Sequence, residues 1–131
     1  MTDANKVFDI AIHLMDEQFE KTGATRTVDT KEYEFRTLSI LNALRHELYP
    51  YSDTFEHGKD GKRYICPEIT SFEQAIDLDD AIAQGVMPYG LAAHLLLGEN
   101  DTMAAFFNQR YMELMYRIGS NRMAQWEDIV I

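Results

Sequence analysis

Between Met87 and Leu114 the chain reads MPYGLAAHLLLGENDTMAAFFNQRYMEL, and its proline and glycines constrain the fold more than any other feature. Pro88 lacks an amide hydrogen and its ring clashes with the preceding turn, so within a helix it costs about 3 kcal/mol. At a first helical position it carries no such cost. The spacing therefore predicts a helix that starts at Asp77 or Leu78, kinks or breaks near Met87 beside Gly85, and resumes from Pro88 to Leu97. Gly98 suits a left-handed cap, and Asn100 or Asp101 suits the cap of a final helix. In that helix Met103, Phe107, Tyr111, Leu114 and Ile118 share one face, with Gly119 expected to close it. The segment is built to pack and carries no catalytic pattern.

Two earlier segments have the same helical period. From about Asn5 to Lys21, Phe8, Ile12, Met15 and Phe19 recur at spacings of four, three and four, with Asp9, His13, Asp16 and Glu20 opposite. Gly23 is expected to end this helix. From about Thr30 to Tyr49, Tyr33, Thr37, Ile40, Leu41, Leu44 and Leu48 line one face. Asp29 with Glu32 supplies a capping-box variant, and Pro50 forbids continuation. Ser71 to Ile76 suits one helical turn. The acids Asp77, Asp79 and Asp80 suit the positive end of the helix that follows.

Residues 50–70 break the period. Gly58, Asp60-Gly61 and two prolines mark turns. Two readings stand open, a short β-hairpin with its tip at Lys59–Lys62 and an irregular projecting loop. The fold expected is all-α: a compact bundle of four to five helices with a projecting loop or small β-hairpin near residues 50–68. Residues 1–119 form the helical domain and 120–131 a C-terminal tail. With 131 residues, one domain is the prior.

Charge narrows the partners. The formal net charge is −10, and from Ile65 to Gln109 seven acids occur with no Lys or Arg. Nucleic-acid affinity rests on Lys and Arg contacts to phosphate, so this stretch does not grip DNA. It is either a solvated acidic face or a face that sits near DNA without holding it. No apolar run reaches the ~20 residues that span a bilayer. The acidic N-terminus lacks the basic start of a signal peptide. Cys66 is the single cysteine and has no internal disulfide partner. A cytoplasmic protein without membrane contact is expected.

The chemistry of catalysis finds no pattern. His46-Glu47 lacks the second histidine of a zinc-protease helix, and no glutamate has histidine three residues later as helical di-iron sites require. His13 with Asp16 or Glu17 is read as a polar face, His94 as a core histidine or packing contact, and Cys66 as a structural thiol. No enzyme activity, metal or cofactor is expected. Three features are left for binding. The loop 57–63 carries His57, Lys59, Lys62 and Arg63. Phe106 and Tyr116 lie off the core face of the last helix, whereas Phe107 and Tyr111 lie on it. The tail carries Trp126 and Ile129, which dock either on the protein's own core or on a neighbour.

Three blocks bring a family into view: RTLSILNALRHELYPYSDT (36–54), LDDAIAQGVMPYGLAAHLLLGEN (78–100) and FFNQRYMEL (106–114). With them the chain resembles the small head–tail connector (adaptor, neck) proteins of tailed bacteriophages and of prophages in Gram-positive bacteria. The blocks cover under half of the positions, but their order spans most of the chain. The resemblance implies a structural protein at the head–tail junction of a virion, assembled in the bacterial host cytoplasm as a ring of about twelve copies. It would join the portal protein to a tail-completion or stopper protein around a channel that passes genomic DNA. It brings no catalytic residues. The rival expectation is a small soluble regulatory or binding protein acting on another protein.

Overall fold

The computed structural model describes residues 1–52 and 67–130, with side chains described as far as Gly119. Five helices occur among them: α1 (Ala4–Met15), α2 (Lys31–Leu48), α3 (Asp80–Gly85), α4 (Met87–Leu96) and α5 (Asp101–Val130), with a 3₁₀ turn at Tyr49–Tyr51. The all-α bundle expected from the sequence is the fold observed. The loop or hairpin expected near 50–68, including His57, Lys59, Lys62, Arg63 and Cys66, lies largely outside the described residues.

α1 starts where the Asp3 side chain accepts the Lys6 amide at 3.0 Å. It buries Val7, Phe8, Ala11, Ile12 and Met15. It stops at Met15 rather than Lys21, because Asp16 takes a left-handed conformation (φ 58°) and turns its amide to the carbonyls of His13 and Ile12. Aspartate tolerates that region better than most residues. Phe19, expected on the apolar face, is therefore half-exposed in the loop. Gly23 (φ 72°) turns that loop rather than ending the helix. Arg26 closes it, its guanidinium lying 4.5 Å from the Phe72 ring centre and 5.3 Å from that of Phe8, with Glu34 and Asn5 accepting its hydrogens.

α2 is capped at Thr30, not by the Asp29–Glu32 box. The Thr30 hydroxyl donates to the Thr25 carbonyl and accepts the Thr27 amide, and so folds the entry turn. Tyr33, Thr37, Leu41, Leu44 and Leu48 are buried as their spacing requires, and so is Arg45. Arg45 and Asn42 fasten the segment after residue 66. Arg45 Nε donates to the Ile76 carbonyl at 2.6 Å and its Nη1 to that of Pro67. The Asn42 amide exchanges two hydrogen bonds with the Ile69 backbone. Residues 71–76 form turns rather than the expected helical turn. Their backbone is drawn to the N-terminus, where Asp3 bridges Ala75 and the Ile76 amide bonds the Thr2 carbonyl at 2.8 Å.

The predicted break falls at Val86, between α3 and α4, with Pro88 in the first turn of α4. α4 is the centre of the bundle and packs on α1, α2, α3 and α5. Gly90 allows this: a Cβ there would lie 3.0 Å from Leu44 Cδ2 and from the Tyr111 ring. Gly98 takes the left-handed conformation (φ 89°), and the Asn100 side chain accepts the Met103 amide at 3.2 Å. α5 then passes through Gly119 to Val130, which corrects the expected helix stop at Gly119. A glycine costs a helix about 1 kcal/mol; it ends one when it turns left-handed, and Gly119 keeps φ negative. No helix of the described residues is long and apolar enough to cross a membrane.

Candidate interaction surface

α5 has one face that the fold consumes and others that it leaves open. Ala104, Phe107 and Tyr111 are buried against the core, with Leu114 and Ile118 partly so. Tyr111 lies under Gly90, and its hydroxyl donates to Glu47 Oε2 at 3.3 Å. Burial, then the Glu47 carboxylate, holds the phenol protonated well above its ordinary range.

Beside that face, Phe106 is 58% exposed and its ring meets Phe107 edge-on at 5.5 Å, while Phe107 meets Tyr89 of α4 at 6.3 Å. An exposed aromatic is thus set against one ring, Phe107, that the core fixes. Tyr116 is 75% exposed and Met112 50%. The exposure of Phe106 and Tyr116 agrees with their register away from the core stripe. Trp126 and Ile129 fall within the helical backbone of α5 but beyond the described side chains. Met112, one turn before Tyr116, shares that outward register, which is the signal that could have found it.

Between α4 and α5 lies an open cleft of about 320 Å³. α4 contributes Ala93 and His94, and Leu97 follows it; α5 contributes Asp101, Ala104, Ala105 and Asn108. His94 is exposed, which corrects its reading as a core residue. Leu91, Ala92, Leu95 and Leu96 around it are all buried, so the one polar side chain in that run takes the one outward position. Asp101 shares the cleft, but its carboxylate accepts the Gly98 amide at 2.8 Å, and no hydrogen bond joins it to His94. Among the described residues no group of three or more His, Cys, Asp or Glu side chains is placed to hold a metal ion.

The turn between α4 and α5 also closes on the end of α1. Tyr33 of α2 donates to Glu99 Oε2 at 2.6 Å, and burial with that bond keeps its hydroxyl protonated well above its ordinary range. Glu17 is raised from its ordinary range by burial first, then by Glu99, Asp16 and Asp29. Arg36 reaches the same end of the bundle and donates to the Leu95 carbonyl at 2.9 Å, satisfying the last turn of α4.

The chain matches no family model, no curated protein and no solved structure.

Proposed function

We infer that the protein is a structural assembly subunit: one copy in a ring of about twelve that joins the portal at a phage head to the tail-completion or stopper protein. The observation that carries the reading is Phe106, an aromatic left open to solvent yet set edge-on against the buried Phe107 ring. Interfaces anchor on rigid aromatics of this kind, because their burial costs little conformational entropy. The acid-only stretch 65–109 supports the same reading, since a neck that passes DNA must not bind it. The resemblance in residues 36–54, 78–100 and 106–114 supplies the virion setting, with assembly in the host cytoplasm and no catalysis. The mechanism is burial of apolar and aromatic surface between neighbouring copies and against the portal.

The experiment is co-expression with a portal protein from the same genome, followed by electron microscopy of the purified complex. A ring seated on the portal is expected, and Phe106→Glu should release it while the monomer still folds. A portal that never retains the chain would sink the neck reading. A solution monomer alone would not, because assembly on the portal is sufficient. The cleft beside His94 favours one alternative, a small regulatory protein that captures a segment of another protein. Gene neighbourhood separates the two: capsid and portal genes adjoin a connector.

A further inference from the structure

Residues 16–29 join α1 to α2, and none of them is buried. A connection this long without a buried residue has little apolar contact to hold it, so polar bonds must. Its second half is well fastened. Thr25 donates to Asp9 at 2.5 Å, Arg26 is held by Glu34, Asn5 and the Phe8 and Phe72 rings, and the Thr27 amide bonds Thr30 Oγ1 at 2.9 Å. Its first half, 16–24, bonds mainly to itself. The Phe19 amide reaches the Ala24 carbonyl at 2.8 Å and the Gly23 amide reaches the Phe19 carbonyl at 2.7 Å. Beyond itself it is tied to the end of α1. The Asp16 and Glu17 amides bond the His13 and Ile12 carbonyls, and the His13 ring meets the Gly23 carbonyl at 3.3 Å.

The corner that this half-loop closes on is acidic. Glu17 stands just past the C-terminal end of α1, where the helix dipole opposes negative charge. Around it lie Asp16 on its own loop, Asp29 at the entry to α2, Tyr33 and Arg36 on α2, and Glu99 in the turn between α4 and α5. The charged groups acting on Glu17 are all acids, and Arg36 gives its Nη2 to the Leu95 carbonyl. Glu99 is pinned by the Tyr33 hydroxyl at 2.6 Å, so it does not turn away. Glu20 and Lys21 are exposed.

Two polar atoms of the same corner, Gln18 Oε1 and Arg36 Nε, are buried with no hydrogen-bond partner. An unsatisfied buried group costs free energy, and water removes that cost when the corner opens. Few apolar contacts, repelling carboxylates and orphaned polar atoms together describe a segment poised to lift.

We propose that residues 16–24 form a flap worked by pH, shut on the Tyr33–Glu99 corner while Glu17 is neutral and lifting from a hinge at Asp16 as Glu17 ionises. Burial, then the three acids, raises Glu17 above its ordinary 4.5 in the shut form. The shut form is therefore favoured fully below 4.5, and that advantage is lost as pH rises through the raised value. The flap belongs to the single chain and does not rest on the ring contact assigned to Phe106.

Amide hydrogen exchange of the full chain from about pH 4 to about pH 8 tests it, each rate divided by the unstructured rate at the same pH. Protection at Glu17, Phe19 and Gly23 should fall at least about threefold across the range, while Thr27 and the amides of α4 do not follow. Loss of the Thr2–Asp80 bond on acidification moves the whole fold in the opposite sense, so the two effects separate. Glu17→Gln should keep the flap shut at both ends of the range. Glu99→Gln keeps an acceptor for Tyr33 but removes a charge, and should move the loss of protection in Glu17 chains to lower pH. An NMR titration of the Glu17 carboxyl carbon should place its midpoint where protection is lost. Protection indifferent to pH would overturn the flap. A response that survives Glu17→Gln would assign it to His13 and overturn it equally, as would a Glu17 midpoint that does not coincide with the loss.

Discussion

α4 and α5 lie side by side, yet they answer to different demands. α4 is ten residues long, and eight of them are buried. α5 is thirty residues long; it gives Ala104, Phe107 and Tyr111 to the core and leaves Phe106, Met112 and Tyr116 to solvent. Both helices contain a glycine, and the two glycines do different jobs. Gly90 is where α4 meets α2 and α5 too closely for a side chain. Gly119 has room, since a Cβ there would meet the Tyr51 ring at an ordinary 3.4 Å. A helix surrounded by neighbours is specified by volume, and a helix on a boundary by which of its faces is already taken.

That contrast can be broken experimentally. The largest effect is expected from Leu95→Ala in α4, a loss of about 3 kcal/mol in denaturant unfolding, because the side chain is fully buried and its cavity is lined on every side. Met112→Ala in α5, measured in the same way on the monomer, should change stability by no more than about 0.5 kcal/mol. A comparable loss at both sites would show that the open face of α5 belongs to the monomer core.

The glycines should differ in sign. Gly90→Ala forces Leu44 or the Tyr111 ring to move and should cost about 1–3 kcal/mol. Gly119→Ala adds a better helix former without a clash and should stabilise by about 0.5–1 kcal/mol. Thermal melts of both variants decide this. Destabilisation at Gly119 would mean that α5 is held more closely there than the Tyr51 contact requires.

The smallest effect sits at the junction of the two helices. Glu17 has its folded pKa raised by burial and by Glu99, Asp16 and Asp29. Its neutral form favours the folded state fully below the ordinary value of 4.5, and that advantage is lost as pH rises through the raised value. Above it, the charged carboxylate opposes folding. Glu17→Gln should therefore raise stability at pH 7 by roughly 0.5 kcal/mol, given its partial exposure, and change little near pH 4. Melting curves at the two pH values check the sign. Asp80 runs the other way. The Thr2 hydroxyl, donating at 2.7 Å, holds its carboxyl below the ordinary range, so that its contribution is present at neutral pH and lost on acidification.

Helices, their faces and the punctuation at Val86, Gly98 and Asn100 were legible along the chain, because they depend on local rules: proline's missing amide, glycine's left-handed turn, a side chain that caps a helix start. The stop of α1 at Asp16 was not, since an aspartate becomes left-handed only when the following loop folds back. Nor was the burial of Arg45, because its carbonyl partners at Pro67 and Ile76 come from a segment distant in the chain. His94 shows the converse. Its apolar neighbours pointed inward, and the one outward position in that run became visible only once α1, α2 and α5 had closed around the rest.

The sequence by itself determined the class of fold, the core stripe on α5 from Phe107 onward (Met103 is exposed and Ala104 is buried in its place) and the acid-only stretch, because periodicity and charge are properties of the chain. Only the tertiary structure decided which remaining surfaces stay open: the Phe106 flank, the cleft beside His94, and the flank of α5 that carries Met112 and Tyr116. Exposure is what neighbours leave uncovered, and in this protein those neighbours are brought together from distant parts of the chain.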